Sequence, residues 1–346
     1  MKIEFFCGSG GVGKTTLSAT RALTLAEHQN VLLMTIDPSL RLKDLLNIKE
    51  SGMLEERKFE NGKLYCMLLN TEEAMSKVLA SINTNLKDQR ILSLLAKPFG
   101  GLNEILAMVE LGRLLEDYTF DTVIIDTPPG GHFLEFLDGL ERINNFFDDT
   151  FVQVVKLFNN NKTATNSGVW FKNILQGGLE KLLGYLGKVT GQSFVHEFVE
   201  TLKTIYKVKD KFVLASKTLD EYGKRGDVHF YLVTNAEHDK AKELQNLRNC
   251  LTVFSAAKFF AIINYCAVDA WTHDAKVLPE GAWKDYTQHL KNKHTLLISS
   301  LKNFDRITNF PHIFQPLDVK DSNDDIIKQL VTYWKTLSST EGLMND

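Results

Sequence analysis

The residues Gly8-Ser9-Gly10-Gly11-Val12-Gly13-Lys14-Thr15, followed by Thr16, have the types and spacing that hold a phosphate chain. The glycines let backbone N–H groups turn inward around phosphate oxygens, where a Cβ would block the approach. A helix beginning near Lys14 would aim the positive end of its dipole at the same anion. In this pattern Lys14 reaches the β- and γ-phosphates, and Thr15 offers a hydroxyl to Mg²⁺. A Gly-rich turn that binds nothing is the plain alternative. The context speaks against it, because the pattern follows a β-rich apolar run, Ile3 to Cys7, and precedes a helical pattern from Lys14 to about His28.

Two carboxylates have the spacing to complete such a site. Asp126 ends the apolar run Thr122-Val-Ile-Ile, where an acid can hold Mg²⁺ through water. Asp37 ends the run Val31 to Ile36. Each could merely open a turn, and Asp37 does precede Pro38. Parallel strands, however, would bring both acids to one sheet edge, and ligands in open α/β sheets bind off the carboxyl ends of the strands.

The elements that must position these residues follow from periodicity. Leu64 to Leu69, His229 to Thr234 and Phe259 to Asn264 are further apolar runs of strand length. Near-continuous apolar runs suit strands covered on both faces. Alternating with helical segments, they predict an α/β fold: a doubly wound, mostly parallel sheet of P-loop NTPase type. Helical spacing recurs at Ile105, Leu106, Met108, Val109, Leu111, Leu114 and Leu115, at Leu179 to Leu186, and at Phe194 to Tyr206. The expected organisation is one domain, 1–346, with a helical subdomain from roughly 71–115 and 140–222 inserted between strands. A polar loop at 159–168 falls inside the second insertion. These apolar stripes either pack a core or form an exposed groove for a hydrophobic client; periodicity does not choose between them.

Composition removes other classes. Forty basic against 43 acidic residues give a net charge of -3, so the bulk charge favours no polyanion, and nucleic-acid binding is not expected. Cys7, Cys66, Cys250 and Cys266 lie far apart, with no C-x-x-C, which leaves neither a disulfide framework nor a short-spaced zinc site. Cys7, just before the phosphate loop, reads as a small buried apolar residue rather than a redox switch. His132 and His273 could suggest metal or catalytic histidines, but metal ligation by either is not expected. With no signal-peptide pattern and no apolar stretch near the ~20 residues that span a bilayer, a cytoplasmic location is expected.

The phosphate loop, then Thr35-Ile36-Asp37-Pro38-Ser39-Leu40-Arg41-Leu42, then Asp126-Thr127-Pro128-Pro129-Gly130-Gly131-His132 resemble the ArsA family of ATPases. That family includes the ATPases that drive anion pumps and those that target tail-anchored membrane proteins. Phe194-Val-His-Glu-Phe-Val199 and Asn264 resemble its later landmarks, so the likeness covers the whole chain. The resemblance implies an Mg²⁺-dependent ATPase that binds ATP and ADP through Gly10, Gly11, Val12, Gly13, Lys14, Thr15 and Thr16. It implies that Lys14 and Asp37 are catalytic, with Asp37 orienting the attacking water. Asp126 and the following Pro-Pro-Gly-Gly would sense the γ-phosphate. Asn264 would read the adenine ring, with Asn235 a second candidate.

The family's working unit is a dimer facing itself across the nucleotides. The resemblance thus implies a homodimer, or a heterodimer with a paralogue, that handles a hydrophobic membrane-protein client. The alternative is the ATPase subunit of an anion efflux pump acting with a membrane partner. A small-molecule kinase is a third class, without an evident acceptor site. The chain departs from the family in three places. Ser9 stands where many relatives carry a signature lysine, the zinc C-x-x-C is absent, and no clustered cysteines are present to take arsenite. Arg41 is the cation that could replace the missing lysine, against a plain solvated loop arginine.

Overall fold

The computed structural model describes residues 1–36, 41–80, 102–130, 133, 210, 217, 221–235, 238–251, 254–266, 282–301, 303–313 and 322–341. By internal contacts the chain divides into two compact units. The first comprises Met1–Asn70, Leu114–Glu135 and Thr218–Asp346, and the second Thr71–Arg113 and Phe136–Lys217.

In chain order the elements are β1 (Lys2–Gly8), α1 (Lys14–Ala26), β2 (Asn30–Thr35), α2 (Arg41–Leu46), β3 (Leu54–Lys58), β4 (Lys63–Leu68), α3 (Thr71–Ala80) and α4 (Leu102–Asp117). They continue with β5 (Thr122–Asp126), β6 (Val228–Asn235), α5 (His238–Cys250), β7 (Lys258–Cys266), α6 (Ala282–Ser300), β8 (Arg306–Pro311) and α7 (Ser322–Glu341). The strands form one sheet in the order β3-β4-β2-β5-β1-β6-β7-β8. Every neighbouring pair is parallel except β3 with β4. This is the α/β, mostly parallel architecture expected from the apolar runs, and all six of those runs are strands.

Two strands were not foreseen, and both are edges. β3 reads Leu-Glu-Glu-Arg-Lys and β8 ends at Pro311. Charges and proline blunt exposed edges against pairing with another chain, and the same residues erase the apolar signature by which a strand is recognised.

The centre of the sheet is held by aromatic ladders on its two faces. Phe6, Tyr231 and Phe260 are in register across β1, β6 and β7 and stack with centroids 4.9 Å apart at each step. Their neighbours Phe5, Phe230 and Phe259 stack at 5.2 and 5.3 Å on the opposite face, because successive side chains of a strand alternate. The strand that carries the phosphate loop is therefore clamped on both sides.

α1 is buried around nearly its whole circumference. It lies against the sheet, and α7 packs on it through Trp334, whose Nε1 donates to Thr20 Oγ1 at 3.2 Å. A charge is enclosed there. Arg21 donates to both carboxylate oxygens of Glu4, at 3.0 and 2.9 Å, and its guanidinium lies 5.1 Å from the Trp334 ring centre. Glu4 is the buried ionic residue of β1, and it is accommodated because α1 supplies its partner 17 residues later.

In the second unit, Glu110 is buried on α4 between Arg113 at 2.8 Å and Lys77 of α3 at 3.6 Å. Of the stripe read at 105–115, Leu106, Met108, Val109, Leu111 and Leu114 are buried. The stripes at 179–186 and 194–206 and the polar loop at 159–168 lie outside the described residues. Among the described residues no helix is long and apolar enough to cross a membrane.

Candidate functional site

β1 sits where the strand order reverses. The chain leaves it for β2 on one side, and β6 pairs on the other. Crevices at such switch points, off the carboxyl ends of the strands, are where open α/β sheets bind ligands. The phosphate-loop pattern begins at the end of β1.

Two glycines are required there by contact as well as by conformation. At Gly8, φ is 148°, and an added Cβ would lie 2.2 Å from the Val233 carbonyl oxygen of β6. At Gly13, φ is 91°, and a Cβ would lie 2.3 Å from Asn264 Nδ2. Gly13 is the N-cap of α1 and brings no side-chain cap. The first N–H groups of the helix are thus left to face the loop's interior, where an anion would meet them. A Cβ at Gly10 or Gly11 would meet nothing within 4 Å, so the space beside these two residues is open.

The loop and its neighbours enclose a cavity of about 390 Å³. Gly10, Gly11, Gly13, Lys14, Thr15 and Thr16 form one wall. Arg41, Asp44 and Leu45 of α2, with Pro129 and Tyr265, form the rest. Lys14 is only 7% exposed, and its Nζ donates to the Ser9 carbonyl at 2.9 Å, curling back over the loop it would serve.

Behind Thr15 of the cavity wall, two hydroxyls converge on one carboxylate. Thr15 Oγ1 donates to Asp126 Oδ2 at 2.8 Å, and Thr35 Oγ1 approaches the same oxygen at 3.5 Å. Asp126 is 1% exposed at the end of β5. A buried carboxylate beside a threonine hydroxyl, next to an open loop of N–H donors, is a donor set that suits a hard divalent cation and phosphate oxygens. Just beyond, Thr127 Oγ1 donates to the Phe6 carbonyl at 2.8 Å and ties the turn after β5 back to β1.

The other expected residues divide as follows. Val12 is buried, and its carbonyl accepts a 2.8 Å hydrogen bond from Asn264 Nδ2. Asn264 is buried too, and so braces the loop from beneath. Asn235 is its register partner at the end of β6. Asp37 lies outside the described residues. The chain enters that segment beside Asp126, since Ile36 N donates to the Asp126 carbonyl at 3.0 Å. His132 and His273 are likewise outside. Arg41, singled out from sequence, lines the cavity, and Ser9 contributes its carbonyl to Lys14.

Sequence reasoning missed Thr35 and Tyr265. Thr35 had a signal, since it is in the strand that delivers Asp37 and alternation would turn it toward a neighbour. Tyr265 had none, because its place depends on an irregularity of β7.

The cysteines are inert where they are enclosed. Burial raises the Cys7 thiol far above the ordinary value, despite the Thr127 hydroxyl beside it, and pushes Cys66 up to about 12. Only the thiolate reacts or ligates. Among the described residues no group of three or more His, Cys, Asp or Glu side chains could hold a metal ion.

Comparison with known proteins agrees with this geometry. The chain is 27% identical over 316 residues to the protein named "Putative arsenical pump-driving ATPase 2" of Aquifex aeolicus, covering 88% of this chain and 89% of that one. It is 38% identical over 148 residues to an ATPase ASNA1 homolog of Babesia bovis, 40% of this chain and 39% of that protein. It is 33% identical over 145 residues to an ATPase get3 of Schizosaccharomyces japonicus, 40% and 44% respectively. The family model described as anion-transporting ATPase, ArsA_ATPase, matches residues 1–294. A phosphate loop at the switch point, backed by the Thr15–Asp126 pair, in a chain whose residues 1–294 match the family model, makes this a nucleotide-binding ATPase belonging to the ArsA family of anion-transporting ATPases.

Proposed function

We propose that ATP is hydrolysed in the cavity above α1, and that nucleotide state switches a dimer that handles a hydrophobic client. The observation that supports the site most directly is the convergence of Thr15 and Thr35 on Asp126 beneath an open glycine loop. Mg²⁺ would be held by the Thr15 hydroxyl, with Asp126 acting through water, and would supply charge neutralisation to the phosphates. The N–H groups of Gly10 to Thr16 bind and orient the phosphate chain. Lys14 exchanges the Ser9 carbonyl for β/γ-phosphate oxygens. Asp37 holds the attacking water in line. Asn264 keeps the loop in shape from below, with Asn235 beside it toward the base. Phosphoryl transfer asks for positioning and charge complementarity more than for covalent help.

The dimer and its client are read from the resemblance to the ArsA family. Light scattering of the full chain with ADP and with a non-hydrolysable ATP analogue tests them. A shift from monomer to dimer, or from a loose to a compact dimer, is expected with the analogue. Identical mass and radius in both states would overturn the nucleotide-switched dimer.

A second reading, the ATPase subunit of an anion pump, is favoured by the near full-length likeness to a protein named for that role. Three of the four cysteines are buried here, so the anion would not be a thiol-seeking metalloid. Co-purification from membranes separates the two: a multi-span membrane subunit supports the pump, and single hydrophobic segments support client handling.

A further inference from the structure

Tyr265 belongs to no motif, yet its backbone is under tension and its ring is in the cavity. β7 is buried from Phe259 to Asn264 and again at Cys266, whereas Tyr265 between them is 43% exposed. Its φ is 55°, in the left-handed region that residues with a Cβ rarely adopt. The cause lies in the pairing of β7 with β8. Register runs from Phe260 opposite Arg306 to Ile263 opposite Asn309, then resumes at Cys266 opposite Pro311, three steps on β7 against two on β8. One extra residue in a strand breaks the alternation and re-aims a side chain, and such bulges gather beside active sites.

The side chain re-aimed here is Tyr265, and it turns onto the phosphate loop. A Cβ on Gly13 would lie 3.0 Å from its hydroxyl oxygen and 3.4 Å from Cζ. The ring is braced edge-on by His312, with centroids 5.7 Å apart at 86°. His312 is itself fixed, donating its backbone N–H to the Cys266 carbonyl at 3.1 Å. Among the described residues lining the cavity, Tyr265 is the aromatic one.

Strain of this kind persists where the surrounding structure enforces it, and it concentrates at ligand clamps. A phosphate chain is served by N–H groups and by Lys14, and gains little from a phenol face. The flat, polarisable part of a nucleotide is its base, and a fixed aromatic ring next to Asn264 and the start of α1 offers that part a partner. The geometry points to Tyr265 as the platform on which the nucleobase stacks, making it a determinant of nucleotide over inorganic polyphosphate binding in this chain. This inference rests on the reading of the cavity as the ATP site.

Calorimetry on the full-length protein, with ADP and with pyrophosphate as probes, tests it. Tyr265→Gly removes the ring and places at the positive φ the residue that adopts it without strain. Its Kd for ADP should rise about tenfold or more, with the pyrophosphate Kd unchanged. Tyr265→Phe, which restores the ring, should recover most of the ADP affinity. An ADP affinity unaltered by Tyr265→Gly would overturn the assignment. So would an equal loss for pyrophosphate, which would mean that the ring only props the loop. A Phe variant as weak as the Gly variant would give the role to the hydroxyl and overturn stacking. Wild-type protein that bound neither probe would instead sink the ATP-site reading itself.

Discussion

Thr15 Oγ1 donates to Asp126 Oδ2 across 2.8 Å, joining the first turn of α1 to the end of β5 from 111 residues away. The two residues are brought together because β1 and β5 are parallel neighbours, in register from Lys2 opposite Thr122 to Phe6 opposite Asp126. The register thus sets a carboxylate against the Thr15 hydroxyl that lines the cavity, and oxygen donors of this kind suit a divalent cation.

Asp126→Asn leaves the shape nearly unchanged and removes that charge. Turnover should fall by about 10²–10³, the usual worth of an electrostatic positioning group, and ATP affinity should lose most of its dependence on Mg²⁺. A magnesium titration of ATP binding, together with the hydrolysis rate, checks both. An unchanged magnesium dependence would remove Asp126 from the cation site.

Asp37→Asn should separate binding from chemistry. ATP affinity should stay within a few-fold of wild type while hydrolysis drops by about 10²–10³, because only the orientation of water is lost. Equal rates in the variant and the wild type would show that another residue holds the water.

Arg41 lines the cavity of its own chain, at the start of α2, whereas the lysine absent at Ser9 would have reached across a dimer. Guanidinium matches phosphate oxygens through paired N–H groups. Arg41→Ala should therefore lower the ATPase rate at every protein concentration, and Ser9→Lys should add a concentration-dependent component. Rates measured over a hundredfold range of protein concentration decide this. An Arg41→Ala rate equal to wild type throughout would leave Arg41 a surface residue.

The core beneath the site should make stability depend on pH in two windows. Burial pushes the Glu4 carboxyl up, but the Arg21 guanidinium outweighs it and holds the group below its ordinary 4.5. That contribution is complete above the unfolded-state value and is lost as pH falls through the folded one. His229 is held below its ordinary 6.5 by burial, with the nearby Glu4 carboxylate opposing. The unfolded chain therefore takes a proton first, and stability declines as pH falls below about 6.5. Urea melts from pH 8 down to about 2 should show both declines, and His229→Gln should flatten the first. Glu4→Ala, which strands Arg21 among Tyr231 and Trp334, should cost about 3–5 kcal/mol.

The residue sequence by itself determined the phosphate loop, the six central strands and the acid at the end of β5. Each is written locally, as a run of glycines before Lys14-Thr15 or as an unbroken apolar stretch that only a strand covered on both faces can use. Asp37 and the stripes at 179–186 and 194–206 remain sequence readings, outside the described residues. Tertiary structure alone decided the rest. The edges β3 and β8 carry charges and proline instead of a strand's apolar pattern, so pairing with β4 and β7 was needed to define them. Asn264 braces Val12 from 252 residues away, and Glu4 is tolerable in β1 only once α1 folds Arg21 over it. Tyr265 enters the cavity because β7 holds one residue more than β8 can pair. That is a property of register between two strands, which neither strand's residues contain alone.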